Sequence, residues 1–177
     1  GKHALLIEAA MAFGTGHHGT TLGCLEALDR LAESGFHGRR AVDIGCGTAV
    51  LAMGAAAVWP ERVLASDIDM QAVEVALANL RANDMEGRVT VVEAAGFDHP
   101  ELTGPFDLIF ANILKGPLVA LAPDLTARLC AGGYAILSGI LNEQADDVVE
   151  VYNRLGNTLH HRAEIGEWTT LTLHKMC

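Results

Sequence analysis

Basic residues are scarce in this chain. It holds 12 lysines and arginines against 22 aspartates and glutamates in 177 residues, a formal charge of −10. Phosphate backbones are gripped by clustered Lys and Arg, so the deficit argues against a direct nucleic-acid surface. An acidic surface suits a basic partner such as a lysine-rich protein, and it also keeps any domain soluble. The 4 cysteines (Cys24, Cys46, Cys130, Cys177) form no C-x-x-C pair, which fits a reduced, intracellular protein. No signal peptide is visible and no apolar run reaches membrane-spanning length, since residues 51–59 suffice only for a buried helix. A cytoplasmic domain without a membrane partner is expected. Metal-ligand spacing is missing too. His17-His18 and His160-His161 are adjacent pairs, which rarely face the same way, and no Cys or acid stands at metal spacing. No Ser-His-Asp order or nucleophile elbow is present. The chain opens at Gly1 rather than Met, as a processed or truncated chain with residues upstream would. No repeat or low-complexity linker divides it, and 50% of its residues are hydrophobic, enough for one sizeable core.

What is present is alternation. Residues 20–34 read as a helix with Leu22, Leu25, Leu28 and Leu31 on one face. Residues 40–44, 62–66, 88–93, 106–111 and 134–138 read as short buried strands. Helices are expected between them at 49–58, 70–83 and 117–129, with another at 143–155. Pro117 falls in a first turn, where its missing N–H costs nothing, and Gly132-Gly133 are expected to cap the C-terminus of that helix. The tail at 159–164 and 168–175 reads as a β-hairpin with its turn at Ile165-Gly166-Glu167. The sum is an α/β fold: a mostly parallel, Rossmann-like seven-stranded sheet with helices on both faces and a terminal antiparallel hairpin. That hairpin is the layout of class I methyltransferases rather than of dehydrogenases.

The chemistry gathers at the first two strand ends. Val42-Asp43-Ile44-Gly45-Cys46-Gly47-Thr48 carries an apolar run into an acid and a glycine turn, and Ser66-Asp67-Ile68-Asp69 ends the next run in acids. This is one β-turn-α-turn-β unit, the frame of a nucleotide-type pocket at the carboxyl edge of a parallel sheet. Gly45 and Gly47 let backbone approach a ligand closely. A dinucleotide fingerprint would continue with a third glycine, but Val50 stands there, which leans away from a pyrophosphate ligand and toward S-adenosylmethionine. Asp67 can accept from both ribose hydroxyls of either ligand, while Asp69 suits an N-cap for the following helix. Glu93-Ala94-Ala95 falls where an adenine edge could be touched. Phe110-Ala111-Asn112 ends the fourth strand beside this pocket, and an amide there can accept from an amine or donate to a carboxylate. Upstream, residues 11–21 form a polar Gly/Thr/His loop leading into a helix start at Thr20-Thr21, a natural place for a carboxylate or hydroxyl contact.

Ala12-Phe13-Gly14-Thr15-Gly16-x-His18-x-Thr20-Thr21, Asp43-Ile44-Gly45-Cys46-Gly47, Asp67-Ile68-Asp69 and Ala111-Asn112-Ile113-Leu114-x-Gly116-Pro117-Leu118 together resemble the ribosomal protein L11 methyltransferase (PrmA) family. So do Leu137-Ser138-Gly139-Ile140-Leu141 and Gly166-Glu167-Trp168. The resemblance runs from about Met11 to Lys175. It implies that residues 1–177 are the catalytic, S-adenosylmethionine-binding domain of a two-domain enzyme whose N-terminal recognition domain is absent from this chain. It implies Thr21, Gly45, Asp67 and Asn112 as cofactor-binding positions. The implied reaction is N-methylation of lysine side chains and the α-amine of a large-subunit ribosomal protein. The chain departs from the family pattern at His17 (commonly Thr), Gly19 (commonly Pro) and Ala49 (commonly Gly). Asn112 is the candidate catalytic residue, orienting the amine together with backbone carbonyls near Ile113 and Leu114, and no acid-base dyad is expected. The competing readings are a methyltransferase of a small-molecule amine and a non-catalytic nucleotide-binding domain.

Overall fold

The order of the strands is what makes a cleft. In the computed structural model, which describes residues 18–176, seven strands form one sheet in the order β3-β2-β1-β4-β5-β7-β6. The strands are β1 (Ala41–Ile44), β2 (Val63–Asp67), β3 (Val89–Glu93), β4 (Phe106–Asn112), β5 (Leu129–Leu141), β6 (Asn157–Ile165) and β7 (Trp168–Lys175). The first five pair in parallel, and β7 runs antiparallel to both β5 and β6. Chain direction across the sheet reverses between β1 and β4, and ligands of open α/β sheets bind at such a switch point. β1 is central and all four of its residues are buried, which is why it reads as an apolar run interrupted only by Asp43.

Among the described residues five α-helices cover the sheet: α1 (His18–Glu33), α2 (Val50–Val58), α3 (Met70–Ala82), α4 (Lys115–Arg128) and α5 (Ala145–Arg154). The first three share one face, where Leu25, Leu28, Leu31, Ala52 and Leu80 pack on Phe110 and Ile136. The last two cover the other, where Leu118, Leu125, Val148 and Tyr152 pack on Ile109 and Leu171. Each such aliphatic side chain contributes roughly 1.5–3 kcal/mol by leaving water. Close approach also fixes α1. A Cβ on Gly23 would stand 2.1 Å from Thr170 Oγ1, and one on Gly54 of α2 would stand 2.9 Å from Leu25 Cδ2.

Most element positions match the reading from sequence, and three details differ. Gly132-Gly133 do not cap α4. That helix ends at Arg128, and Lys175 Nζ from β7 donates to Thr126 O (2.7 Å) and Leu129 O (2.6 Å) at its C-terminus. The two glycines lie inside β5 beside a register shift opposite Phe106 and Leu108, where a Cβ on Gly133 would come 3.1 Å from Asp107 O. Residues 142–144 form a short 3-10 turn before α5, so Glu143 precedes that helix. Lastly, β6 steps two residues, Leu159 to His161, while β7 steps one, Leu173 to Thr172. Such a bulge re-aims side chains, and His160 and His161 both border one small notch with Arg30 and Thr172. Among the described residues no metal-holding group of His, Cys, Asp or Glu forms. His17 and the rest of the upstream Gly/Thr loop to residue 17 lie outside the described residues.

Candidate functional site

Beyond the ends of β1 and β4 the structure opens a cleft of two lobes. One, of about 530 Å³, is bordered by Thr20, Thr21, Asp43, Gly47, Asn112 and Trp168. The other, of about 620 Å³, is mostly apolar and bordered by Asp67, Ile68, Ala94, Gly96, Pro117 and Leu121. Gly45, Ile113 and Leu114 border both. Gly45 has φ +70° and a Cβ there would fall 2.7 Å from Ile113 Cγ2, so the ridge between the lobes requires a glycine. All four residues expected at a cofactor site thus meet in one cleft, Thr21 and Asn112 in the polar lobe, Asp67 in the apolar lobe and Gly45 on the ridge. Glu93 ends β3, and of its neighbours Ala94 reaches the apolar lobe.

The glycine turn is held from the next strand. Asp67 Oδ2 accepts from Gly47 N at 3.0 Å and Oδ1 accepts from Asp69 N at 3.0 Å. Each carboxylate oxygen retains a lone pair beyond those bonds, so Asp67 can still accept from hydroxyls. Asp69 caps α3 as its position implies, with Oδ1 accepting from Gln71 N at 2.9 Å. Ala49, at the N-cap of α2, holds φ +67°, a left-handed conformation that glycine adopts more cheaply.

Asp43 is the residue whose role is not evident from the sequence. Its side chain is 1% exposed and borders the polar lobe, and among the described residues neither carboxylate oxygen makes a hydrogen bond of ordinary geometry, with the Ala52 backbone N–H the nearest approach to one. Burial pushes its pKa from an ordinary 3.8 up to about 8, the Ala52 backbone N–H pulls it partly back and the charge of Asp67 adds to the rise. The same burial, with Asp43 nearby, pushes the Cys24 and Cys46 thiols up, and neither of these two is in a disulfide. A buried carboxyl short of hydrogen bonds costs free energy that a cationic ligand group could recover. The acid before the glycine turn was the available signal, but its burial depends on the packed sheet and helices.

Asn112 ends β4 opposite Ser138 of β5, half-buried, with Nδ2 donating to Thr20 Oγ1 at 3.3 Å. Open space stands where a Cβ on Gly47 would be, so the turn leaves room for a ligand against its backbone.

A mostly parallel seven-stranded sheet closed by an antiparallel terminal pair, with this glycine turn and strand-end acid, defines the class I methyltransferase fold. The ribosomal protein L11 methyltransferase (PrmA) family model matches residues 2–176, and the chain belongs to that family. A ribosomal protein L11 methyltransferase from Mesorhizobium japonicum is 46% identical over 176 residues, covering 98% of this chain and 60% of that protein. One from Rhodopseudomonas palustris is 45% identical, with 98% and 59% covered. The chain thus spans about 60% of the length of these relatives. Among solved structures, a ribosomal protein L11 methylase from Lactobacillus delbrueckii subsp. bulgaricus superposes with TM-score 0.83 at 26% identity, covering 92% of this chain and 81% of that one. A methyltransferase from Pyrococcus furiosus, at 23% identity and TM-score 0.69, shares the fold.

Proposed function

We propose that this chain is the S-adenosylmethionine-binding catalytic domain of a protein N-methyltransferase acting on lysine and α-amino groups of ribosomal protein L11 in the cytoplasm. Family membership supports the substrate class, and no described helix is long and apolar enough to cross a membrane. The observation that carries the reading is the two-lobed cleft. An acid able to take ribose hydroxyls sits in one lobe, while a buried acid and an amide share the other.

S-adenosylmethionine, when bound, supplies an electrophilic methyl sulfonium. The residues of this chain then have three tasks. Asp67 and Gly45 seat the nucleoside, and Thr21 and Asp43 hold the amino-acid tail. Asn112 orients the incoming nitrogen at the far end of that tail, so that alignment lowers the barrier. A free lysine amine has a pKa of about 10.4 and attacks only when neutral. The walls formed by Ile113, Leu114 and Trp168 desolvate it, which favours the neutral form.

Calorimetric titration with S-adenosylmethionine tests the cofactor claim, and absence of binding would sink it. Mass spectrometry of ribosomal proteins incubated with labelled cofactor tests the substrate. Because the relatives are longer, this chain alone should bind cofactor yet methylate the ribosomal protein poorly. Transfer of label to small amines with none to ribosomal protein L11, even by the full-length protein, would overturn the protein-substrate reading.

A further inference from the structure

The histidine pair of β6 takes no part in the cleft. His160 and His161 border a separate notch of about 40 Å³, closed on its other sides by Ala27, Arg30 and Leu31 of α1 and Thr172 of β7. It lies beside the bulge, where β6 runs two residues against one of β7. A water needs roughly 10–15 Å³ of such space, so the notch has room for about three, or for one small ion in their place.

Every group on this notch that can carry charge carries it as a cation. Arg30 is charged at any ordinary pH, and the two histidines become so on protonation. Among the described residues no Asp or Glu borders the notch and Arg30 joins no ion pair, although the whole chain has a formal charge of −10. Arg30 Nη2 is closed off from water and has no hydrogen-bond partner, so its charge is short of both solvent and counter-charge. His161 faces Arg30 from α1, His160 on its own strand and the uncharged Thr172 from β7. Burial, Arg30 and His160 together hold its pKa below the ordinary value. His160 in turn lies edge-on to Tyr134 of β5, 5.1 Å between ring centres, and 6.4 Å from His174 of β7. An anion seated among these groups would turn their mutual repulsion into attraction.

We propose that the notch binds a small tetrahedral oxyanion, of the phosphate or sulfate type, through Arg30, His160 and His161, and that the bound ion pins the edge strand β6 to α1. A guanidinium offers paired N–H donors and each imidazole one more, so an ion with several oxygens uses the notch better than chloride does. The net negative charge of the chain disfavours a polyanion there, which points to the free ion. No residue is shared with the cleft, so the proposal stands or falls apart from the methyltransferase reading.

NMR titration of the His161 ring in the wild-type chain tests it, with sulfate as the probe because its charge is constant across the titration. Saturating sulfate should raise the His161 pKa by about half a unit, equivalent to a roughly threefold preference of the ion for the protonated ring. Chloride at the same ionic strength should move it by no more than about 0.1 unit, the part due to screening. Arg30→Gln keeps the reach of the side chain without its charge. It should abolish the sulfate response, and the calorimetric Kd for S-adenosylmethionine should stay unchanged. A His161 pKa that ignores sulfate overturns the proposal, as does an equal response to chloride. A sulfate response undiminished in Arg30→Gln overturns it too, and if that variant does not fold the wild-type comparison of sulfate with chloride decides. A short oligonucleotide that shifts the ring at a lower phosphate concentration than inorganic phosphate needs would overturn the assignment to a free ion.

Discussion

Asp67 and Gly47 lie on different strand ends, yet the carboxylate of the first accepts the backbone N–H of the second at 3.0 Å. The acid that faces the apolar lobe therefore also sets the shape of the turn bordering the polar lobe. The side chain proposed to take the ribose hydroxyls therefore also holds the turn.

Replacing Asp67 by Asn puts an amide NH2 against one of two backbone donors, Gly47 N or Asp69 N. A hydrogen bond to a charged acceptor is worth about 1.5–3 kcal/mol, so Asp67→Asn should lower unfolding stability by roughly that much. Urea denaturation reads this, and calorimetry should show weaker S-adenosylmethionine binding in parallel. A variant as stable as wild type would mean that the turn holds its shape without Asp67.

Asp43 makes the stability of the empty domain pH-dependent. Its folded pKa of about 8 lies above the ordinary 3.8, so the folded state holds its proton more tightly. The contribution is full below pH 3.8 and is lost as pH rises through about 8. Asp43→Asn should remove this component and flatten the decline of stability across that window, measured by urea denaturation at several pH values. The same variant should bind S-adenosylmethionine more weakly, because a neutral amide replaces the acid proposed to face its ammonium. An identical pH slope in variant and wild type would refute the account of Asp43.

Asn112→Ala removes the amide from the methyl end of the polar lobe. Turnover should fall far more than cofactor affinity, as steady-state kinetics and calorimetry would separate. Equal losses would make Asn112 a cofactor ligand only.

Gly23→Ala introduces a Cβ 2.1 Å from Thr170 Oγ1. Either Thr170 breaks its contact with Ser138 or α1 lifts from the sheet. Overpacking of this kind costs about 1–3 kcal/mol and should displace Thr20 and Thr21 together. A thermal melt would record the loss, and retained stability with normal cofactor binding would show that the helix can shift freely.

Local signals were legible in the sequence because their partners are close in the chain. Asp69 caps α3 through Gln71, two residues on, and Pro117 sits within the first turn of α4. The β1 turn was readable for the same reason, since its apolar run, acid and glycines are contiguous. Gly132-Gly133 misled because the capping group of α4 comes from Lys175, brought alongside by β7. The notch bordered by His160 and His161 lies beside a bulge that exists only relative to β7.

The sequence by itself determined the alternation of strands and helices, the strand-end acids and the amide at Asn112, since periodicity and turn chemistry act within a few residues. Tertiary structure decided which of those groups became unusual. Asp43 is an ordinary acid until the packed sheet and helices remove it from water, which raises its pKa to about 8. Asn112 meets Thr20, 92 residues away, only once α1 lies against the end of β4. Burial and long-range hydrogen bonding do this, and both exist only once the sheet has assembled.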